Sequence, residues 1–396
     1  MRESVDVLIS GGGVAGLAAA AAFGSAGYSV ICVDPAPPVT ERGAPGADLR
    51  TTAFLQPSIP VLTAAGLWQR IAPHAMPLQV MRIVDAGGAE PIARITHDFD
   101  AADVSAEPFG WNLPNWLLRR EFVARLGDLP NVDFRPGQGT RRLFTRDTEA
   151  LVTLTDGAQV TAKLVVAADG RHSPVRRALG IPVHTTRYGQ KALAFAVTHP
   201  EPHRNVSTEI HRSGGPFTLV PLPDHQGKPC SAVVWMETGP EIERLRALPR
   251  DAFEAEMNTR SCGLFGWLEQ ASALTVWPII TQQATRLYGQ RTALMAEAAH
   301  VVPPIGAQGL NMSLADLSAL IDLARPETLG TQPMLQAYER RRLPDIKLRL
   351  AGVGLLNRAS MMRARPLRDA RAAGLHALYS LAPVRKGLMQ LGIGMR

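Results

Sequence analysis

The residues best suited to chemistry open this 396-residue chain: Gly11-Gly12-Gly13-Val14-Ala15-Gly16 follows the apolar run Val7-Leu8-Ile9 and leads into an alanine-rich stretch ending near Phe23. In a Gly-x-Gly-x-x-Gly spacing the first glycine makes a tight turn, the second lets backbone approach a pyrophosphate, and the third lets a helix pack on its strand. The start of that helix offers free N–H groups and the positive end of its dipole to the phosphates. A second apolar run, Val30-Ile31-Cys32-Val33, ends at Asp34, 18 residues beyond Gly16, where a carboxylate can accept from a ribose hydroxyl. Strand, glycine turn, helix, strand and acid together specify a dinucleotide site.

Three later segments add candidates. Arg50, in Asp48-Leu49-Arg50, follows a loop rich in Pro and Gly that can fold back over the dinucleotide, so it could neutralise a pyrophosphate, lie against a ring system, or remain a surface arginine. The five apolar residues 164–168 read as a buried parallel strand with Asp169-Gly170 at its carboxyl end, the edge at which open α/β sheets bind ligands. In Pro303-Pro304-Ile305-Gly306-Ala307-Gln308-Gly309-Leu310-Asn311 the prolines stiffen the approach to a helix whose first N–H groups, on Gln308, Gly309 and Leu310, present a positive end. His300 is a candidate base, but it follows an apolar strand and reads better as structural. No catalytic acid or base is assigned, and no metal-ligand set is evident.

The positioning elements come next. With 46% apolar and 19% charged residues, the chain is globular and long enough for one large or two medium domains. The spacing predicts helices over 62–71 and 117–126, the latter carrying Arg119, a strand over 81–85, and a helix through 316–320. Runs 192–197, 217–222 and 231–235 are β-like and joined by loops holding Gly, Pro, Asn and Asp, which predicts an antiparallel sheet inserted in the nucleotide-binding domain to cover a substrate. Cys32, Cys230 and Cys262 are few and widely spaced, suggesting neither a disulfide framework nor a zinc cluster and fitting a reducing cytoplasm. Glu3 and Asp6 argue against a signal peptide, and no other run has the length and apolarity of a membrane span.

Net charge is +7, unevenly distributed. Residues 340–396 hold thirteen Lys/Arg against two Asp, a net +11 that leaves −4 for the rest. This basic, Leu/Met/Ala-rich tail could rest on anionic lipid, or form an amphipathic helix hairpin packed on the body with a solvated basic face. Nucleic acid is not expected, because among the tail's arginines only Tyr379 supplies an aromatic ring.

Taken in order, these blocks resemble the class A flavoprotein monooxygenases of the para-hydroxybenzoate hydroxylase type, and within them the UbiH/UbiF/VisC group of ubiquinone-biosynthesis hydroxylases. Asp48-x-Arg50, Gly66-Leu67-Trp68, Gly110-Trp111 with Asn115, Tyr188-Gly189-Gln190, Gly215-Pro216, Pro221-Leu222, Val234-Trp235 and Tyr338-Glu339-Arg340-Arg341-Arg342 are also similar to that group's segments, so the likeness covers nearly the whole chain. The resemblance implies that Gly11, Gly13, Gly16 and Asp34 hold the ADP half of FAD, that Arg50 and Arg119 approach the cofactor, and that Asp169-Gly170 contacts FAD and NAD(P)H. In the last block it implies a Gly-Asp segment holding the ribityl chain, replaced here by Ala296-Glu297, and a Gly-Gln-Gly beside the flavin, where this chain has Ala307. The N–H groups at Gln308 to Leu310 would then stabilise negative charge on a reduced flavin.

The activity implied is hydroxylation of an aromatic ring with NAD(P)H and O2 through a flavin C4a-hydroperoxide, on a polyprenylated phenol or benzoquinol of ubiquinone biosynthesis. A flavoprotein reductase of the geranylgeranyl-reductase type and a non-catalytic FAD-binding subunit of a membrane biosynthetic complex stay as alternatives. With one Gly-x-Gly-x-x-Gly, NAD(P)H has no Rossmann domain of its own. The expected architecture is an α/β fold with a Rossmann-like FAD-binding domain in two pieces (1–180 and 271–340), an inserted antiparallel sheet (181–270) and a basic helical C-terminal extension (341–396). The expected location is cytoplasmic, with peripheral contact on the inner face of the cytoplasmic membrane and membership of a ubiquinone-biosynthesis complex.

Overall fold

A computed structural model describes residues 3–362 and 364–394. Arg363 and Arg396, counted above in the basic tail, lie outside the described residues. The expected α/β architecture is observed. Its first sheet is built on parallel strands in the order Val132–Pro136, Val30–Asp34, Glu3–Ser10, Gln159–Ala167 and Thr292–Leu294. Val7-Leu8-Ile9 and 164–167 are fully buried in a core that helices Val14–Ser25 and Gln308–Leu323 share with strand Ala150–Leu154. The crossover helix Val14–Ser25 follows the first strand, and Asn115–Gly127 and Gln308–Leu323 pack against it.

The second sheet has nine strands and reaches beyond the insert expected at 181–270. Val183–Thr198, Lys228–Thr238, Pro216–His225 and Val206–His211 form its antiparallel centre, while Thr275–Ala284 and His300–Val301 add one edge and Val80–Asp85 and Ile95–Asp100 the other. It is mixed rather than purely antiparallel, since Val206–His211 runs parallel to Val80–Asp85. A small sheet of Thr51–Leu55, Gly110–Pro114 and Met76–Leu78 lies between the two layers in sequence.

The expected boundary at residue 340 falls inside one helix, Gln332–Ser360. Its first half belongs to the nucleotide-domain core through Leu335, Tyr338, Ile346 and Leu350. Arg365–Ser380 and Ala382–Ile393 then form a hairpin across the edge of the nine-stranded sheet. Arg371 pairs with buried Asp85 at 2.8 Å, Arg94 with Asp369 at 2.7 Å, and the Tyr379 ring stacks on His97 at 4.0 Å. Among the described residues no helix is long and apolar enough to cross a membrane.

Candidate functional site

The first strand delivers the glycine turn to the carboxyl edge of the parallel sheet. Gly11 has φ +107°, and a Cβ there would strike the Ala168 carbonyl; a Cβ at Gly16 would strike the Gly11 carbonyl. Only glycine lets strand, turn and helix approach this closely. Nothing lies within 4 Å of the corresponding point at Gly13, which faces open space. Gly13 is the N-cap of helix Val14–Ser25 and supplies no side-chain cap, so the first N–H groups of that helix remain for a ligand. Asp34 lies at the end of its strand, with Oδ2 accepting from Gly12 N–H at 2.6 Å and Oδ1 from Ala36 N–H at 2.8 Å.

A cavity of about 550 Å³ runs from this turn toward the nine-stranded sheet, a volume in the range of small-ligand sites. Gly13, Val14, Ala15, Arg50, Arg119, Glu297, Pro304, Ala307, Gln308, Gly309 and Leu310 all line it. A second helix, Gln308–Leu323, also points its N-terminus at the cavity, and its N-cap Ala307 likewise offers no side-chain cap. Two uncapped helix ends therefore give one cavity two regions of positive potential. Ala307 holds φ +55° and Ala296 φ +56°, left-handed conformations that bring the loop backbone to the cavity wall despite their Cβ atoms.

Arg50 and Arg119 converge on a buried carboxylate that sequence reasoning did not select. Asp48 accepts from Arg50 Nε and Nη2 at 2.8 and 2.7 Å and from Asn115 at 3.1 Å, with Arg119 at 3.5 Å. Burial alone would raise the Asp48 pKa, but the Arg50 fork, with Asn115 and Arg119, holds it below the ordinary carboxylate value. The Arg50 guanidinium also lies 4.0 Å over the Trp277 ring, so it is fixed between a carboxylate and an aromatic face rather than free on the surface. Glu297, half-exposed in the turn Ala296–Ala298, faces Arg171 at 3.4 Å. Buried Arg176 ties that turn to the Asp169 loop by donating to the carbonyls of Ala298 and Arg171, each at 2.8 Å.

Five predicted residues do not line the cavity. Gly11 and Gly16 are closed inside the turn, and Asp34 binds its own loop. Asp169 is buried beneath the glycine turn, where Oδ2 accepts from Val175 N–H at 3.2 Å and from the Ser10 hydroxyl at 3.4 Å, while Oδ1 is buried without a partner. Burial pushes the Asp169 pKa up. The Asn311 side chain is engaged by the fold: Oδ1 accepts from Leu55 N–H and the Ser58 hydroxyl, and Nδ2 donates to the carbonyls of Ala53 and Ala307. It splints the second helix to strand Thr51–Leu55. His300, by contrast, lines the cavity, and its Nε2 lies 2.6 Å from Oδ2 of buried Asp316, which pairs with Arg342 at 2.7 Å. Among the described residues no cluster of His, Cys, Asp and Glu could hold a metal ion.

The residues present fit FAD: a glycine cradle that a Cβ would fill, and uncapped helix ends for a pyrophosphate and a ring. Sequence comparison agrees with this geometry. The chain matches the FAD binding domain family over residues 4–350. It is 33% identical to the ubiquinone hydroxylase UbiL of Rhodospirillum rubrum, over 98% of this chain and 89% of that one. It is 26% identical to the 3-demethoxyubiquinol 3-hydroxylase of Escherichia coli, with each chain fully covered. The crystal structure of PqsL, a probable FAD-dependent monooxygenase from Pseudomonas aeruginosa, superposes with a TM-score of 0.77 at 22% identity, covering 94% of this chain and all of that one, and so shares the fold. Glycine cradle and sequence match converge on one conclusion: the chain belongs to the FAD-binding domain family of flavoproteins.

Proposed function

We propose that this flavoprotein hydroxylates the aromatic ring of a polyprenylated phenol or benzoquinol intermediate of ubiquinone biosynthesis, with NAD(P)H as reductant and O2 as oxidant. The observation that carries the reading is the continuity of one cavity from the two uncapped helix ends to an apolar wall that includes Leu78, Val80, Met81, Phe109 and Val220. A cofactor held at the helix ends would thus share a water-poor space with an apolar ring and the start of its tail. The names of the two similar hydroxylases support ring hydroxylation as the reaction. When bound, FAD would supply the oxygen chemistry, using two electrons from NAD(P)H so that one atom of O2 enters the ring and the other leaves as water. The protein's part is to hold the cofactor at the glycine turn, fix Arg50 between Asp48 and Trp277, and keep bulk water from the shared space.

The substrate's prenyl tail also calls for a lipid surface, and the C-terminal helices suit one. Among the described residues, nine of the thirteen most exposed large apolar side chains fall between Leu348 and Leu391. Lys347, Arg358, Arg365 and Lys386 are exposed among them. We include in the proposal a peripheral contact of this face with anionic lipid, and a place in a ubiquinone-biosynthesis complex. The test is a steady-state assay of the FAD-loaded protein with a short-chain prenylated phenol, following NAD(P)H and O2 together. Equal consumption of both, with a hydroxylated product, is expected. Reduction of the prenyl double bonds without O2 uptake would assign a reductase instead, and FAD that is never reduced would assign a binding subunit.

A further inference from the structure

The far half of the cavity is walled by one face of the nine-stranded sheet, and a carboxylate stands on it. Strand Val206–His211 turns Thr208 and Ile210 into the interior and Ser207, Glu209 and His211 the other way. Ser207 and Glu209 line the cavity, opposite Thr218 of the neighbouring strand and beside Met81 of the parallel one. Of the side chains that strands Val80–Asp85, Val183–Thr198, Val206–His211, Pro216–His225 and Lys228–Thr238 contribute to the lining, Glu209 alone is ionisable. Its Oε1 lies 2.7 Å from His211 Nε2, two residues along the same face. Among the described residues no protein donor is found on Oε2, so of the carboxylate of this cavity-lining residue one oxygen is held by His211 and the other is not.

We propose that Glu209 determines which aromatic rings the cavity accepts: Oε2 takes a hydrogen bond from the hydroxyl of a neutral phenol or quinol, and the same charge turns away rings that bear a carboxylate. A hydroxyl donating to a carboxylate makes a hydrogen bond roughly twice as strong as one between neutral groups. Two carboxylates brought together away from bulk water repel, so an aromatic acid can enter only by taking up a proton. On the strands beside Glu209 the lining offers a carboxylated ring no arginine or lysine to offset this, because Val80, Met81, Val220 and Val234 are apolar and Ser207 and Thr218 neutral; the cavity's arginines, Arg50, Arg119 and Arg171, come from other elements. His211 acts as a positioning residue that keeps the Glu209 carboxylate from swinging away.

This inference rests on reading the cavity as a hydroxyaromatic site and narrows it to rings without a carboxyl group. Its test uses the full-length, FAD-loaded protein, titrated with 2-methoxyphenol and with 4-hydroxybenzoate and followed by calorimetry and by perturbation of the flavin spectrum. Wild type is expected to bind the neutral phenol at least about tenfold more tightly than the acid, Glu209→Gln to lose about tenfold in phenol affinity, and Glu209→Arg to prefer the acid. His211→Ala is expected to blunt the preference while leaving FAD content and melting temperature near wild type. Equal binding of both ligands by wild type, or a Glu209→Gln protein with unchanged affinity and preference, would overturn the assignment. Should Glu209→Arg fail to load FAD, wild type and Glu209→Gln still decide. A protein that shows this preference yet never consumes O2 would sink the hydroxylase reading while leaving the Glu209 assignment standing.

Discussion

Ala307 carries a Cβ in a backbone conformation that glycine adopts without strain, at φ +55° on the cap of the helix facing the cavity. A left-handed alanine costs about 1 kcal/mol, part of which a glycine returns through its freer unfolded chain. Ala307→Gly is therefore expected to stabilise the FAD-free protein by roughly 0.5–1 kcal/mol, and Ala307→Val to destabilise it, as read from urea midpoints. Arg50 offers a functional test at the same scale. It is fixed by the Asp48 carboxylate and the Trp277 ring together. Lysine can replace its charge but neither the two-pronged donor nor the flat face. FAD affinity, measured by fluorescence quenching, is expected to fall about tenfold in Arg50→Ala with little recovery in Arg50→Lys. Full recovery by lysine would mean that charge alone matters there.

The buried chain His300, Asp316, Arg342 joins the loop before the cavity, the helix that opens on it and the long C-terminal helix. Burial would raise the Asp316 pKa, but the charges and hydrogen bonds of His300 and Arg342 hold it below the ordinary value of 3.8. A carboxyl depressed in the fold contributes stability above that ordinary value and loses it as pH falls through the lower folded value. Asp316→Asn leaves buried Arg342 with Asp345, at 2.7 Å, as its remaining carboxylate partner, so it is expected to cost about 3 kcal/mol at neutral pH and to flatten the acid limb of stability below about pH 5. Urea unfolding across that range checks both effects. The elements that carry local signals were legible in sequence. Glycines 11, 13 and 16 with the two apolar strands mark the turn, and apolar runs 164–168 and 217–222 mark buried strands. The residues missed are those whose roles depend on distant pairing. Glu209 faces the cavity because its strand lies beside Val80–Asp85, more than a hundred residues earlier, and Trp277 matters because its strand passes Arg50. Asn311 is the reciprocal case: its position near the loop is local, whereas its side-chain partners at Ala53, Leu55 and Ser58 are not.

The C-terminal helices form the packed hairpin that is one of the two expectations for the basic tail, and its arginines take part in that packing. Arg371 and Arg385 turn inward to Asp85 and Asp103, which pins the hairpin beside the nine-stranded sheet, while Val384, Leu388 and Leu391 repeat at helical spacing on an exposed face. The end of this hairpin reaches the cavity loop, where Gln308 Nε2 donates to the Gly392 carbonyl at 3.2 Å. The helix proposed to meet lipid thus abuts the loop proposed to hold the flavin. Replacing Val384, Leu388 and Leu391 with serine is expected to abolish cosedimentation with anionic vesicles, and added salt to weaken it in wild type; undiminished binding by the triple variant would remove the membrane contact from the account. The central claim is ring hydroxylation by one atom of O2, and isotope transfer tests it most directly. In a single turnover of the FAD-loaded protein with NAD(P)H and a short-chain prenylated phenol under 18O2, the account predicts one 18O atom in the product by mass spectrometry. A product free of label, or one that takes its oxygen from 18O-water, would contradict it.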